Sequence, residues 1–264
     1  MNEKPVATLW KNGIPTALED TSISSTANAI TVSNNDVYIA GDVSNTGAEW
    51  KPYYWKNGVT TALQLHGELH VSARAICVSG SDVYVSGYTS TSQSYSYQYA
   101  TYWKNGVENV LTPTSLGSFD TAEGIAVVNN NVYLAGNSDY VGNSVAMYWK
   151  NGIPDSLNNT PNVESYASAI FVKGNYIYLA GSAQNIGNKS DTINNLIYWK
   201  SSIGNVPPSI IKPGITPPHD TKGMFVDGDD VYVAGSANAQ AGYWKNGDFV
   251  VLGNGDAYGV AVVP

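Results

Sequence analysis

A chain of 264 residues with 43% hydrophobic and only 13% charged side chains holds enough apolar material for one self-sufficient core, and a single domain over residues 1–264 is expected. The net charge of −8, with thirteen Lys and Arg scattered along the chain, argues against a phosphate-tracking surface and so against nucleic acid or anionic membranes as partners. One cysteine, Cys77, excludes an internal disulfide, and no apolar run approaches the ~20 residues of a membrane-spanning helix, so no membrane insertion is expected.

Taken in order, the chain begins with Met1 to Pro5, too polar for a signal peptide. That leaves a cytoplasmic protein, or a secreted or cell-surface protein whose targeting segment is absent from this chain; the low charge and the Tyr, Ser, Asn and Thr-rich loops favour the second. Trp10-Lys11-Asn12-Gly13 then opens a series continued by Tyr54 to Gly58, Tyr102 to Gly106, Tyr148 to Gly152, Tyr198-Trp199-Lys200 and Tyr243 to Gly247. The tryptophans are 45, 48, 46, 50 and 45 residues apart, a period that marks a propeller or repeat array.

Residues 27 to 65 show one repeat in full. Ala27 to Val32 is a β-prone run, Ser33 to Asp36 is turn chemistry, and Val37-Tyr38-Ile39-Ala40-Gly41 returns as a second strand. A polar loop leads to a third strand at Tyr53-Tyr54-Trp55, Asn57-Gly58 turns the chain, and Val59 to Leu63 makes the fourth. First strands recur at Ala73 to Val78, Ala122 to Val127, Ala167 to Val172, Thr221 to Val226 and Ala257 to Val262, and second strands at Val83 to Gly87, Val132 to Gly136, Ile177 to Gly181 and Val231 to Gly235. The fold class is therefore all-β, a β-propeller of four-stranded blades.

This order of elements resembles a kelch blade, and the Ala-x-x-Ile strand, Val-x-Gly strand and Trp-x-x-Gly turn are similar to bacterial extracellular repeats. One glycine stands where kelch repeats have a pair, so the resemblance implies a propeller and not kelch partners. Six blades are expected, one split between Val6 to Leu18 and Asp256 to Pro264; the alternative is five.

The six repeating tryptophans read as wedges between blades, whereas Trp50 in a polar loop reads as a contact residue. The second place of the inner strand varies most: Asn28, Arg74, Glu123, Ser168, Lys222 and Tyr258 are expected to converge on one channel mouth as a ligand pocket. The loop from Tyr88 to Tyr102 has recognition chemistry, with Tyr97 its foremost contact.

Three histidines, His66, His70 and His219, are too scattered to suggest a metal, and His66 and His70 are placed in solvent. Asp227 to Asp230 reads as a hairpin turn rather than a calcium loop. No phosphate loop or nucleophile elbow occurs, so no cofactor is expected. Asp120, Glu123, Asp220 and Asp256 fall near inner-strand starts and could pair as glycosidase carboxylates, but the evenness of the repeats speaks against an active site. The reading is a non-catalytic binding module, not an enzyme, for a glycan, peptide or protein. A glycan-acting hydrolase and a passive structural module are the alternatives.

Overall fold

A computed structural model describes residues 4–45, 49–68, 70–90, 97–111, 119–140, 143–157, 163–185, 195–202, 209–213 and 220–262. Among them there is no helix. The strands form one hairpin and five four-stranded sheets, each a blade of a five-bladed β-propeller arrangement. The hairpin is β1 (Thr8–Lys11) and β2 (Ile14–Ala17). Blade one is β3 (Ser24–Ser33), β4 (Asp36–Ser44), β5 (Lys51–Lys56) and β6 (Val59–Ala62); blade two is β7 (His70–Ser79), β8 (Asp82–Ser90), β9 (Tyr99–Lys104) and β10 (Val107–Val110). Blade three is β11 (Phe119–Val128), β12 (Asn131–Tyr140), β13 (Asn143–Lys150) and β14 (Ile153–Ser156). Blade four is β15 (Val163–Lys173), β16 (Tyr176–Asn185), β17 (Asn195–Ser202) and β18 (Ser209–Pro213); blade five is β19 (Asp220–Asp227), β20 (Asp230–Ala237), β21 (Gln240–Lys245) and β22 (Asp248–Asn254). By packing, the chain divides into two compact units, Met1–Val127 and Val128–Pro264.

Five blades replace the expected six. The front of the chain supplies only the two-stranded β1–β2 hairpin, and residues 257 to 262 carry no strand, because no ladder hydrogen bonds form there. Each piece packs within its own unit. The hairpin contributes Ala7 and Leu18 to a core with Ile39, Val43 and Trp55, and the backbone of residues 258 to 260 lies against Gly223 of β19. The proline-rich stretch from Ser201 to Pro218 is described at its start and at β18; its remainder, with His219, lies outside the described residues.

The Trp-Lys-Asn-Gly turn has a complete physical account. Asn57 (φ 50°) and Gly58 (φ 82°) take the left-handed conformation of a tight hairpin, as do Asn105–Gly106, Asn151–Gly152 and Asn246–Gly247. The asparagine then reaches across to the second strand. Asn57 Oδ1 accepts from Val37 N at 2.9 Å and its amide donates to Asp36 at 2.7 Å, a pairing repeated at Val83 with Asp82 and at Val231 with Asp230. Lys56, Lys104 and Lys245 reach those same aspartates at 2.9, 2.8 and 2.8 Å while lying over the rings of Tyr38, Tyr84 and Tyr232. Asp227 and Asp230 close a hairpin turn, as the sequence suggests.

The lysine and asparagine partners hold the carboxyls of Asp36, Asp82 and Asp230 below the usual aspartate range. An acid whose folded-state pKa is depressed stabilises the fold above its unfolded value, about 3.9, and loses that contribution as pH falls through the folded value. The thermal midpoint should therefore drop on acidification below about pH 4, and a variant with all three aspartates changed to asparagine should show a flatter drop. Equal acid sensitivity of the two proteins would remove these turns as its source.

Five of the six motif tryptophans are fully buried: Trp55, Trp103, Trp149, Trp199 and Trp244. Trp103 wedges between blades one and two, against Tyr38, Ala40, Val71, Ala73 and Val85; Trp199 and Trp244 do the same between blades three and four and between four and five. Trp10 departs from the expectation. It is 66% exposed, because no sheet lies on the hairpin face that carries it among the described residues. Cys77 packs into its strand, and burial pushes its thiol up to about 12, which fits a core residue rather than a reactive one.

Candidate functional site

Four of the inner strands carry a β-bulge at one fixed place. The ladder between β3 and β4 jumps from Ala27↔Gly41 to Ala29↔Ala40, leaving Asn28 extra. The same jump leaves out Arg74 between β7 and β8, Ser168 between β15 and β16, and Lys222 between β19 and β20. Glu123 holds the matching place in the sequence of β11. A bulge breaks the two-residue alternation and re-aims one side chain, and such irregularities gather beside active sites. Four of the positions that vary most along the repeats are thus bulge positions, a reason that sequence spacing alone does not supply.

The recurring glycine of the second strand is what admits the bulge. A Cβ built on Gly41 would lie 1.9 Å from the carbonyl oxygen of Thr26, and on Gly87 1.8 Å from that of Ser72. On Gly181 it would lie 1.8 Å from the Tyr166 oxygen, and on Gly235 2.1 Å from the Asp220 oxygen. Only a residue without a side chain lets the displaced inner strand come this close.

In the first unit Asn28 and Arg74 come together around a residue that the sequence does not single out, Asp42, and Glu123 is joined to them through Arg74. Asp42 follows Gly41 on β4 and is buried. Its Oδ2 accepts from Asn28 Nδ2 at 3.0 Å and from Ser72 Oγ at 2.8 Å, and its Oδ1 accepts from Ala73 N at 2.9 Å. Asn28 also donates to Ala73 O at 2.6 Å, so the acid ties the bulge of blade one to the inner strand of blade two. Burial pushes the Asp42 carboxyl up, against the downward pull of its hydrogen bonds and of Arg74. Arg74 lies over the Tyr88 ring, 5.5 Å from its centre, and its Nε is 3.8 Å from Glu123 Oε2. Two acids, one buried and one with its side chain 30% exposed, therefore face one guanidinium.

Tyr97, 47% exposed, stands one residue before Gln98, which bridges Phe119 and accepts from Asp120 N at 3.0 Å. It is thereby brought to the start of the strand that bears Glu123. Trp50 is half-buried just ahead of β5. Tyr95 lies outside the described residues. Asp120 is buried and engaged in interactions of its own.

In the second unit Ser168 Oγ meets Thr221 Oγ1 at 2.6 Å. Lys222 pairs with Asp220 at 2.7 Å and lies 5.9 Å from the centre of the exposed Tyr258 ring. Tyr258 is on the irregular C-terminal segment and not on an inner strand, which corrects its expected placement.

No family model and no curated protein matches this chain. Solved structures do. A polysaccharide lyase, Uly1, superposes with a TM-score of 0.52 at 13% identity over 86% of this chain, which spans 58% of the lyase's length. A neuraminidase-like protein of A/little yellow-shouldered bat/Guatemala gives 0.53 at 13% identity over 89% of this chain and 81% of its own. An endo-arabinase from Bacteroides thetaiotaomicron gives 0.49 at 13% identity over 86% and 94%. The kelch-like resemblance is supported only as far as the propeller. The expectation of a non-catalytic binding module, and of no enzyme, is overturned: enzymes are built on this fold, so even repeats are no argument against catalysis. What the chain shares with these structures is the β-propeller fold.

Proposed function

We propose that the chain is a glycan-acting hydrolase whose chemistry is carried by Asp42 and Glu123, the two acids beside Arg74. The observation behind this reading is that two carboxylates in unlike surroundings, Asp42 on a second strand and Glu123 on an inner strand, lie near the one guanidinium of the bulge residue Arg74. Glycoside hydrolysis needs a pair of acids about 5–10 Å apart with different proton affinities, and two acids that share one guanidinium as a neighbour are candidates for such a pair. Asp42, which burial biases toward its protonated form, supplies the proton to the leaving oxygen. Glu123, more accessible, attacks the sugar or activates water. Tyr88 and Tyr97 offer ring faces to the sugar. The polysaccharide lyase that shares this fold favours a glycan substrate. A secreted or cell-surface location goes with this reading, since polysaccharides are met there.

The test is release of new reducing ends from a panel of purified polysaccharides, with absorbance near 235 nm followed in parallel. Hydrolysis gives reducing ends without that absorbance. Glu123→Gln should then lower kcat by about 10²–10⁴-fold, the weight of a positioned acid or base, while leaving the far-UV spectrum unchanged. Absorbance rising with the reducing ends would make the chain a lyase instead. Polysaccharides bound but never cut, or turnover indifferent to both Glu123→Gln and Asp42→Asn, would overturn the assignment.

A further inference from the structure

Glu108 sits on β10, the last strand of blade two, at the opposite edge of that sheet from Arg74. Its side chain is only 2% exposed. One oxygen, Oε2, meets His66 Nδ1 at 2.5 Å; the other, Oε1, is buried without a hydrogen-bond partner among the described residues. A buried carboxylate oxygen with no donor is unusual, and an ion or water is the ordinary explanation for one.

The loop between β6 and β7 is built to bring further ligands to this place. Gln64 N donates to Gly106 O at 2.8 Å, and Gln64 O accepts from the Trp103 indole at 2.9 Å, which anchors the loop two residues before His66. The backbone amide of His66 then donates to Glu68 Oε2 at 2.5 Å and holds that carboxylate in the same place. One ligand atom from each of His66, Glu68 and Glu108 lies within 4.8 Å of the others. One imidazole nitrogen and two carboxylate oxygens, with water in the fourth position, are the donors of a tetrahedral zinc-type site, whereas calcium and magnesium take oxygen alone.

We infer that His66, Glu68 and Glu108 bind a divalent cation of the zinc class. Ligand distances of about 2.0–2.2 Å require the three donors to close in, which the exposed His66 and half-buried Glu68 can do around the fixed Glu108. Bound there, the ion clips the segment that joins blades one and two onto the outer strand of blade two. The inference stands apart from the proposed hydrolase, whose residues lie at the inner strands.

The test is calorimetric titration of zinc into the chelator-stripped full chain near pH 7.5, beside calcium. One saturable zinc site is expected, with no heat from calcium. His66→Ala, an exposed position that folding tolerates, and Glu108→Gln should each weaken zinc by at least about 10–100-fold, the loss that even an outer-shell partner causes. The thermal midpoint of the parent, not of His66→Ala, should rise with zinc. No saturable site, zinc affinity unchanged in His66→Ala, or preference for calcium would each overturn the inference.

Discussion

Gly87→Ala is expected to cost about 3 kcal/mol or more of unfolding free energy, at or beyond the upper end for added bulk in a packed interior. The new methyl would lie 1.8 Å from the Ser72 carbonyl oxygen and 3.3 Å from the Ala73 Cα. Neither is the tip of a flexible side chain, so the methyl fits only if the inner strand withdraws. Withdrawal undoes the bulge, breaks the ladder between β7 and β8, and pulls Ser72 and Ala73 away from the buried Asp42, whose carboxylate then keeps fewer donors. Gly80→Ala is the comparison that isolates the cause. That glycine has φ +62° and open space around its Cβ, so its change should cost only the left-handed penalty of about 1–2 kcal/mol. Urea unfolding of the two variants measures the difference, and equal losses would mean that close approach at Gly87 is not what selects glycine.

The second large effect is at Trp103. Truncation to alanine should remove about 3–5 kcal/mol, since the ring is fully buried among Tyr38, Ala40, Leu63, Val71, Ala73 and Val85 and its indole donates to Gln64 O. Trp10 occupies the same place in the repeat but is exposed, so Trp10→Ala should stay within about 0.5 kcal/mol of the parent. Both changes are read by the same unfolding curves. Similar losses at the two positions would mean that the hairpin tryptophan is covered in solution.

These contrasts show why some of the molecule is legible in its sequence and some is not. The Asn-Gly turns and the Val-Tyr strands are local matters of backbone conformation and alternation, so their spacing gives the blade directly. The inner strands of blades one and two start three residues earlier than the apolar pattern suggests, at Ser24 and His70, because the bulge interrupts the alternation and hides their first residues. Trp10 looks like its five counterparts, yet burial depends on a neighbouring sheet that its own residues cannot announce. Five blades rather than six follow from the same cause, since a hairpin and an irregular tail resemble half-blades in residue order alone.

At the site, the variable second position was visible as variation, and its cause, the bulge, was not. Asp42 carries no repeat signature, because it follows the repeating glycine at a place held by Tyr88, Asn137, Ser182 and Ser236 in the other blades. The one available signal was that it alone is acidic there. His66 is exposed, as its loop position suggests; its contact with Glu108, which spans 42 residues of sequence and depends on the path of that loop, is not readable from the sequence.

The bulge has one more consequence. A residue that takes no part in the ladder can be exchanged without asking the sheet to repack, so in these four blades the glycine and the tryptophan hold the architecture while the bulge position is open to change. Duplicating such a unit copies the scaffold and leaves a blank address on every copy. A molecule grown in this way can acquire a new chemistry one letter at a time without risking its fold.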